Sequence, residues 1–200
     1  MRTLKRICVY CGSSSGARPV YALAARELGR MLAELGIGVV YGGGRVGLMG
    51  VLADAALEAG GEVIGVIPRS LQEKELGHGS VTELHVVETM HQRKEKMADL
   101  SDGFITLPGG IGTLEELFET FTWLQLGFHE KPVALLNVDG FYQGLTTFVR
   151  HLSEQQFLKP EHEACLIVED SPHALLERME NFTPPDLGKW FLPSLGTDVR

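Results

Sequence analysis

Cysteine is scarce in this 200-residue chain. Cys8, Cys11 and Cys165 are too few for a disulfide framework, which points to a reducing compartment. No apolar stretch approaches a membrane span, which needs about 20 residues. The opening MRTLKRICVY shows no separate apolar segment followed by a small-residue cleavage site. The expected location is therefore the cytoplasm. Positive charge is also in deficit, with 18 Lys and Arg against 26 Asp and Glu and a net charge of −8. Such a chain has no long-range attraction for nucleic acid or an anionic membrane, and neither is expected as a partner. A phosphate-bearing ligand would need a local positive site working against the global field.

Glycine, by contrast, is abundant at 24 residues, and it is clustered. Clustered glycines suggest backbone turns that approach something closely rather than a low-complexity linker. With 44% hydrophobic and 22% charged residues, the composition is that of a folded domain. Short apolar runs alternate with longer amphipathic stretches. Arg6–Cys11, Gly38–Tyr41, Val63–Ile67, Leu84–Val87, Gly103–Leu107, Val133–Leu136 and Leu166–Val168 read as strands. Helices are expected over Val20–Leu35, Leu48–Ala59, Thr89–Leu100, Leu114–Leu126, Tyr142–Glu154 and Pro172–Met179. Arg69–Thr82 reads as a loop. Strands that are apolar throughout and separated by helices imply a doubly wound α/β fold, Rossmann-like, with a mostly parallel sheet covered on both faces. One domain over residues 1–180 and a Pro-containing tail over 181–200 are expected.

The Gly-rich turns follow the first, second and fifth strands, so all lie on the carboxyl edge of the sheet, where ligands of such folds bind. Gly42, Gly44 and Gly47 match G-x-G-x-x-G. The dinucleotide reading also wants an acidic residue after the next strand, where this chain has Arg69. An Arg suits a 2′-phosphate, but the match is weak and a packed turn explains it equally. LPGGIGTLEE, Leu107 to Glu116, is more informative. Gly109, Gly110 and Gly112 stand where a strand ends and a helix begins, so backbone N–H groups can converge on an anion at a helix amino end. Thr113 to Glu116 also fits the capping box T-x-x-E, which would fold Glu116 back onto its own backbone. In MHQRKEK, Arg93 and Lys94 sit near a helix start, against the dipole. Either a solvated charged face or an anionic site accounts for them.

PGGIGTLEE together with MHQRK resembles the Lonely Guy (LOG) family, whose motif is P-G-G-x-G-T-x-x-E with an upstream Arg-Lys. The likeness runs from CVYCGSS through YGGGRVGLMG to TWLQLGFHEKPVALLNVDGFY, roughly residues 6–155. Members are cytokinin riboside 5′-monophosphate phosphoribohydrolases; many bacterial ones are AMP nucleosidase-like, and older labels call them lysine decarboxylases. The resemblance implies hydrolysis of the N-glycosidic bond of a nucleoside 5′-monophosphate, without a cofactor, by a homodimer. It matches Arg93 and Glu116 to the catalytic pair and Glu75 to a substrate contact, although LQEKELGHG departs from the plant pattern there. Lys94 and the run Gly109, Gly110, Ile111, Gly112, Thr113, Leu114 and Glu115 match the remaining nucleotide contacts. Ser14, Gly43, Gly44 and Met90 are further candidates for substrate contact.

The rival reading is a non-catalytic nucleotide or molybdenum-cofactor carrier on the same fold, which would not require the Arg93 and Glu116 pair. Cys8 and Cys11 have C-x-x-C spacing, but residues three apart on a strand point to opposite faces. The seven His include no H-E-x-x-H pair, so no metal is expected, and Glu161–His162–Glu163 reads as a surface loop. Phe121, Trp123, Leu124 and Phe128 are expected in the core or at a subunit contact.

Overall fold

Strand β1 (Arg6–Tyr10) runs at the middle of a seven-stranded sheet ordered β4-β3-β2-β1-β5-β6-β7, with every neighbouring pair parallel. The computed structural model describes residues 2–73 and 77–184. Glu75 and most of the expected tail lie outside the described residues. The other strands are β2 (Gly38–Tyr41), β3 (Val63–Pro68), β4 (Glu83–Val87), β5 (Gly103–Thr106), β6 (Val133–Leu136) and β7 (Leu166–Glu169). β2, β3, β5 and β6 are buried along their whole length, as strands covered on both faces must be. β4 carries Glu83 and His85 and is an edge strand.

The period of two splits β1 between two cores. Ile7, Val9 and Cys11 join one, with residues of the helices α1 (Pro19–Glu34) and α2 (Gly47–Glu58). Cys8 and Tyr10 join the other, beneath α4 (Met90–Asp99) and α5 (Ile111–Gln125). The two cysteines of C-x-x-C thus face opposite sides, and burial pushes both thiols up in pKa. Neither is a thiolate nucleophile. Phe121 and Leu124 are core residues and Trp123 packs at its margin, but Phe128 is 75% exposed and belongs to no core.

Three expectations are corrected. Residues Arg69–Gln72 form a short helix, α3, within the presumed loop, and its return leg pairs Gly77 with Gly44. Glu161–His162–Glu163 is not a surface loop: Pro160–Glu163 closes a helical turn, α7, that buries His162. Pro160 at its first position has a backbone already set for a helix, a signal the residue pattern did not weigh. α5 starts at Ile111, three residues ahead of the expected start, because Gly112 is helical despite its poor propensity. After β6 come α6 (Gln143–Glu154) and, beyond β7, α8 (Pro172–Glu180). Chain order reverses between β1 and β5, and this switch point fixes where a ligand can enter.

Candidate active site

At the switch point the loops after β1 and β5 touch: the Gly12 N–H donates to the Pro108 carbonyl at 3.0 Å. Between them lies a cavity of about 290 Å³, lined by Gly12 to Gly16, Tyr21, Leu48, Pro108, Gly109, Gly110 and Phe141. Ser14 is therefore placed beside the Gly109–Gly110 turn. The turn itself depends on a missing side chain. A Cβ on Gly109 would stand 2.1 Å from Thr113 Oγ1, so the strand can reach the helix only with glycine there. Thr113 is buried, whereas Gly110, Ile111 and Gly112 are exposed.

The amino ends of α4 and α5 are treated differently. α4 closes its own: Thr89 Oγ1 accepts from the Gln92 N–H at 3.2 Å, and Gln92 Oε1 accepts from the Thr89 N–H at 3.2 Å. α5 has Gly110 at its cap position and no side-chain cap, so the first N–H groups of that helix are left for a ligand. Nothing stands within 4 Å of where a Cβ would lie on Gly110 or Gly112, so an anion can come close. Those donors and the positive end of the dipole form the local field that an acidic chain needs for a phosphate.

The earlier start of α5 also decides the role of Glu116. With the cap at Gly110, Glu116 stands in the second turn, too far along for a capping box. Its carboxylate instead accepts from Arg93 Nη1 at 2.7 Å, with about a tenth of each side chain exposed. Arg93 Nε donates to the Val66 carbonyl at 3.1 Å, at the carboxyl end of β3. The guanidinium lies directly on the next turn, where a Cβ on Gly42 would stand 2.1 Å from Nη2. Burial raises the Glu116 pKa above its ordinary value, and the Arg93 charge works against that rise. The result is a desolvated carboxylate held in one orientation by a planar cation.

Lys94 is also buried, its ammonium bound to Glu115 Oε1 at 2.5 Å and Glu119 Oε1 at 3.0 Å. Burial alone would lower its pKa, but the two carboxylates outweigh that and raise it. Arg93 and Lys94 are thus not a solvated face. The structure commits Lys94 and Glu115 to each other across α4 and α5 rather than to the open turn. Ile111 is 83% and Met90 45% exposed, each in the first turn of its helix, while Leu114 packs against the core. Gly47 packs its backbone on Ser13, and Arg69 is paired with Glu88 at 2.9 Å. Both facts favour the packed-turn reading of G-x-G-x-x-G over a dinucleotide site. The contacts of Val66 and Glu119 had no signal in the sequence, since each depends on segments more than 20 residues apart.

A family model described as "Possible lysine decarboxylase" matches residues 49–179. Two cytokinin riboside 5′-monophosphate phosphoribohydrolases of Arabidopsis thaliana are each 48% identical over 180 residues, 90% of this chain and 83% and 84% of theirs. The chain belongs to the Lonely Guy family. Its fold is also that of a molybdenum cofactor binding protein from Rippkaea orientalis, with a TM-score of 0.68, 25% identity and coverage of 90% of this chain and 98% of that one. The Lonely Guy motif P-G-G-x-G-T-x-x-E therefore spans both halves of the site: the open helix end and the carboxylate that Arg93 holds.

Proposed function

We propose that this chain hydrolyses the N-glycosidic bond of a purine nucleoside 5′-monophosphate, AMP or its N6-prenylated form, releasing the base and ribose 5-phosphate. The observation that carries this reading is the buried Arg93–Glu116 pair within two turns of an uncapped helix end. One helix then binds the 5′-phosphate through Gly109, Gly110, Ile111, Gly112 and Thr113 and presents the carboxylate. Helical side chains lean toward the amino end, so Glu116 reaches back over the phosphate site. The relatives' shared name, phosphoribohydrolase, supports the same reaction.

The transition state of such a cleavage resembles an oxocarbenium ion, with positive charge at C1′. Arg93 engages Glu116 Oε1, and among the described residues no other hydrogen bond is made to this carboxylate. Oε2 then faces C1′, stabilising the charge and taking a proton from the attacking water. Lys94 and Glu115 act by tying α4 to α5, which keeps Arg93 and Glu116 in register. Ser14, Gly43, Gly44 and Met90 border the same edge, and Glu75 is retained as a substrate contact on the motif match. The decarboxylase description is disfavoured chemically: that chemistry needs a lysine free to form a Schiff base, and Lys94, beside the pair, is bound by Glu115 and Glu119. In this reading the protein is a homodimer, which rests on the resemblance and is checked by light scattering, and its cytoplasmic location rests on the scarcity of cysteine.

Incubation of the purified chain with AMP tests the proposal: free adenine and ribose 5-phosphate should form in equal amounts. AMP that binds and returns intact would favour the carrier reading instead. The phosphate turn has its own test. Gly109→Ala should displace Thr113 and open the turn, raising KM for AMP on the order of 10- to 100-fold, the loss of one hydrogen bond to a charged group. Unphosphorylated adenosine, a poor substrate for parent and variant alike, should show no comparable change.

A further inference from the structure

The return leg of the loop between β3 and β4 is fastened to the site by a contact that hydrolysis itself does not explain. Gly77 pairs with Gly44, and the His78 N–H donates to the Gly43 carbonyl at 2.9 Å. Gly43 has φ +73°, and a Cβ there would come within 3.0–3.2 Å of Val66 and Ile67, so this turn lies flat on the end of β3. Two of its neighbours meet Arg93: the Val66 carbonyl accepts from Nε, and Nη2 fills the space that a side chain on Gly42 would take. A displacement of the Gly42–Gly44 turn therefore displaces the guanidinium.

His78 is held on every side. Its ring is buried, and Nδ1 accepts from the Ser80 N–H at 3.3 Å. That bond places the ring proton on Nε2, which donates to Asp54 Oδ1 at 3.0 Å. Asp54 stands on α2, the helix that the Gly-rich turn leads into. Turn, helix and returning loop are joined through one imidazole, with a carboxylate that is itself 59% exposed. A buried His with both ring nitrogens satisfied is ordinary as packing. Its backbone N–H on the turn that supports Arg93 is not.

We infer that His78 is a positioning residue: clamped by Asp54, it holds the Gly42–Gly44 turn and through it the Arg93 guanidinium against Glu116. The inference rests on the proposed hydrolysis, but Arg93 can be observed without it. In ¹⁵N–¹H spectra the Arg93 Nε–H, assigned by its loss in Arg93→Lys, should exchange slowly in the parent. His78→Ala should speed that exchange and lower kcat for AMP about tenfold with KM nearly unchanged, because a misplacement of ~1 Å costs on the order of 100-fold and this one is smaller. His78→Gln, whose amide can still donate to Asp54, should restore most of both. Asp54→Ala changes a half-exposed side chain, so it should fold and shift both readouts in the same direction as His78→Ala. An Arg93 signal unchanged in Asp54→Ala and His78→Ala overturns the inference, whatever their activity. If the parent releases no base, the hydrolase reading fails while the Arg93 signal still decides this one.

Discussion

Glu116→Gln is expected to lower kcat for base release from AMP about 1,000-fold while leaving KM roughly unchanged, the middle of the range for a lost acid–base group. Gln keeps the shape and the carbonyl oxygen that accepts from Arg93, so the geometry of the pair survives. It removes the negative charge that C1′ requires and the base that takes a proton from water. A phosphate bound at the amino end of α5 does not sense either loss, which is why KM should hold. In the parent, burial places the Glu116 pKa above the ordinary carboxylate range, so the acid limb of kcat/KM should lie above that range as well. In Glu116→Gln that limb should vanish from the residual rate. A variant with an intact unfolding transition and parent-like kcat would remove Glu116 from the mechanism.

Arg93→Ala has the second large effect, and it acts on rate and stability together. Losing the cation that orients the carboxylate should lower kcat/KM on the order of 100-fold. The Arg93 charge opposes the burial-driven rise of Glu116, so its removal moves the carboxyl pKa further up and the acid limb to higher pH. The stability consequence has a definite sign. Folding raises the Glu116 pKa, so the folded protein holds that proton more tightly than the unfolded chain. Its contribution is fully present below the ordinary carboxylate range and is lost as pH rises through the raised value. In Arg93→Ala that loss is larger, because an unpaired carboxylate stays buried. At neutral pH the variant should be less stable by about 3 kcal/mol, the lower figure for breaking a buried pair. Denaturant titrations should show the gap narrowing on acidification. A gap that widens below neutrality would contradict the assignment of Glu116 as the buried partner.

Much of this fold is written in local patterns. The alternation of fully apolar runs with amphipathic stretches implies a parallel sheet, since only strands covered on both faces lack polar residues. Gly36 closes α1 with φ +69°, and its place after an amphipathic run marks that end without a structure. Local reading failed where two local rules competed. The amphipathic period marks α5 from Leu114, yet the helix begins at Ile111 with a glycine inside its first turn. That shift of three residues also kept the capping-box reading of Glu116 open. The short helix at Pro160–Glu163 was missed because four residues are too few to show a period.

The sequence by itself determined the alternating α/β order, the Gly-rich turns on one edge, and a Gly-rich helix start followed by a carboxylate. Those features depend on neighbours in the chain, and propensity and periodicity act over that range. Only the tertiary structure decided what each charge faces. Arg93 could have been a solvated cation, and it became the holder of Glu116 because β3, the Gly42 turn and α5 meet there. Lys94, matched to a nucleotide contact, is bound by two carboxylates of α5 and so ties two helices together. Such roles are set by burial and by partners distant in sequence, whose energies depend on distance and solvent access rather than on residue type. LPGGIGTLEE marked a Gly-rich helix start, and the packing of α4 against α5 made its last residue half of an ion pair.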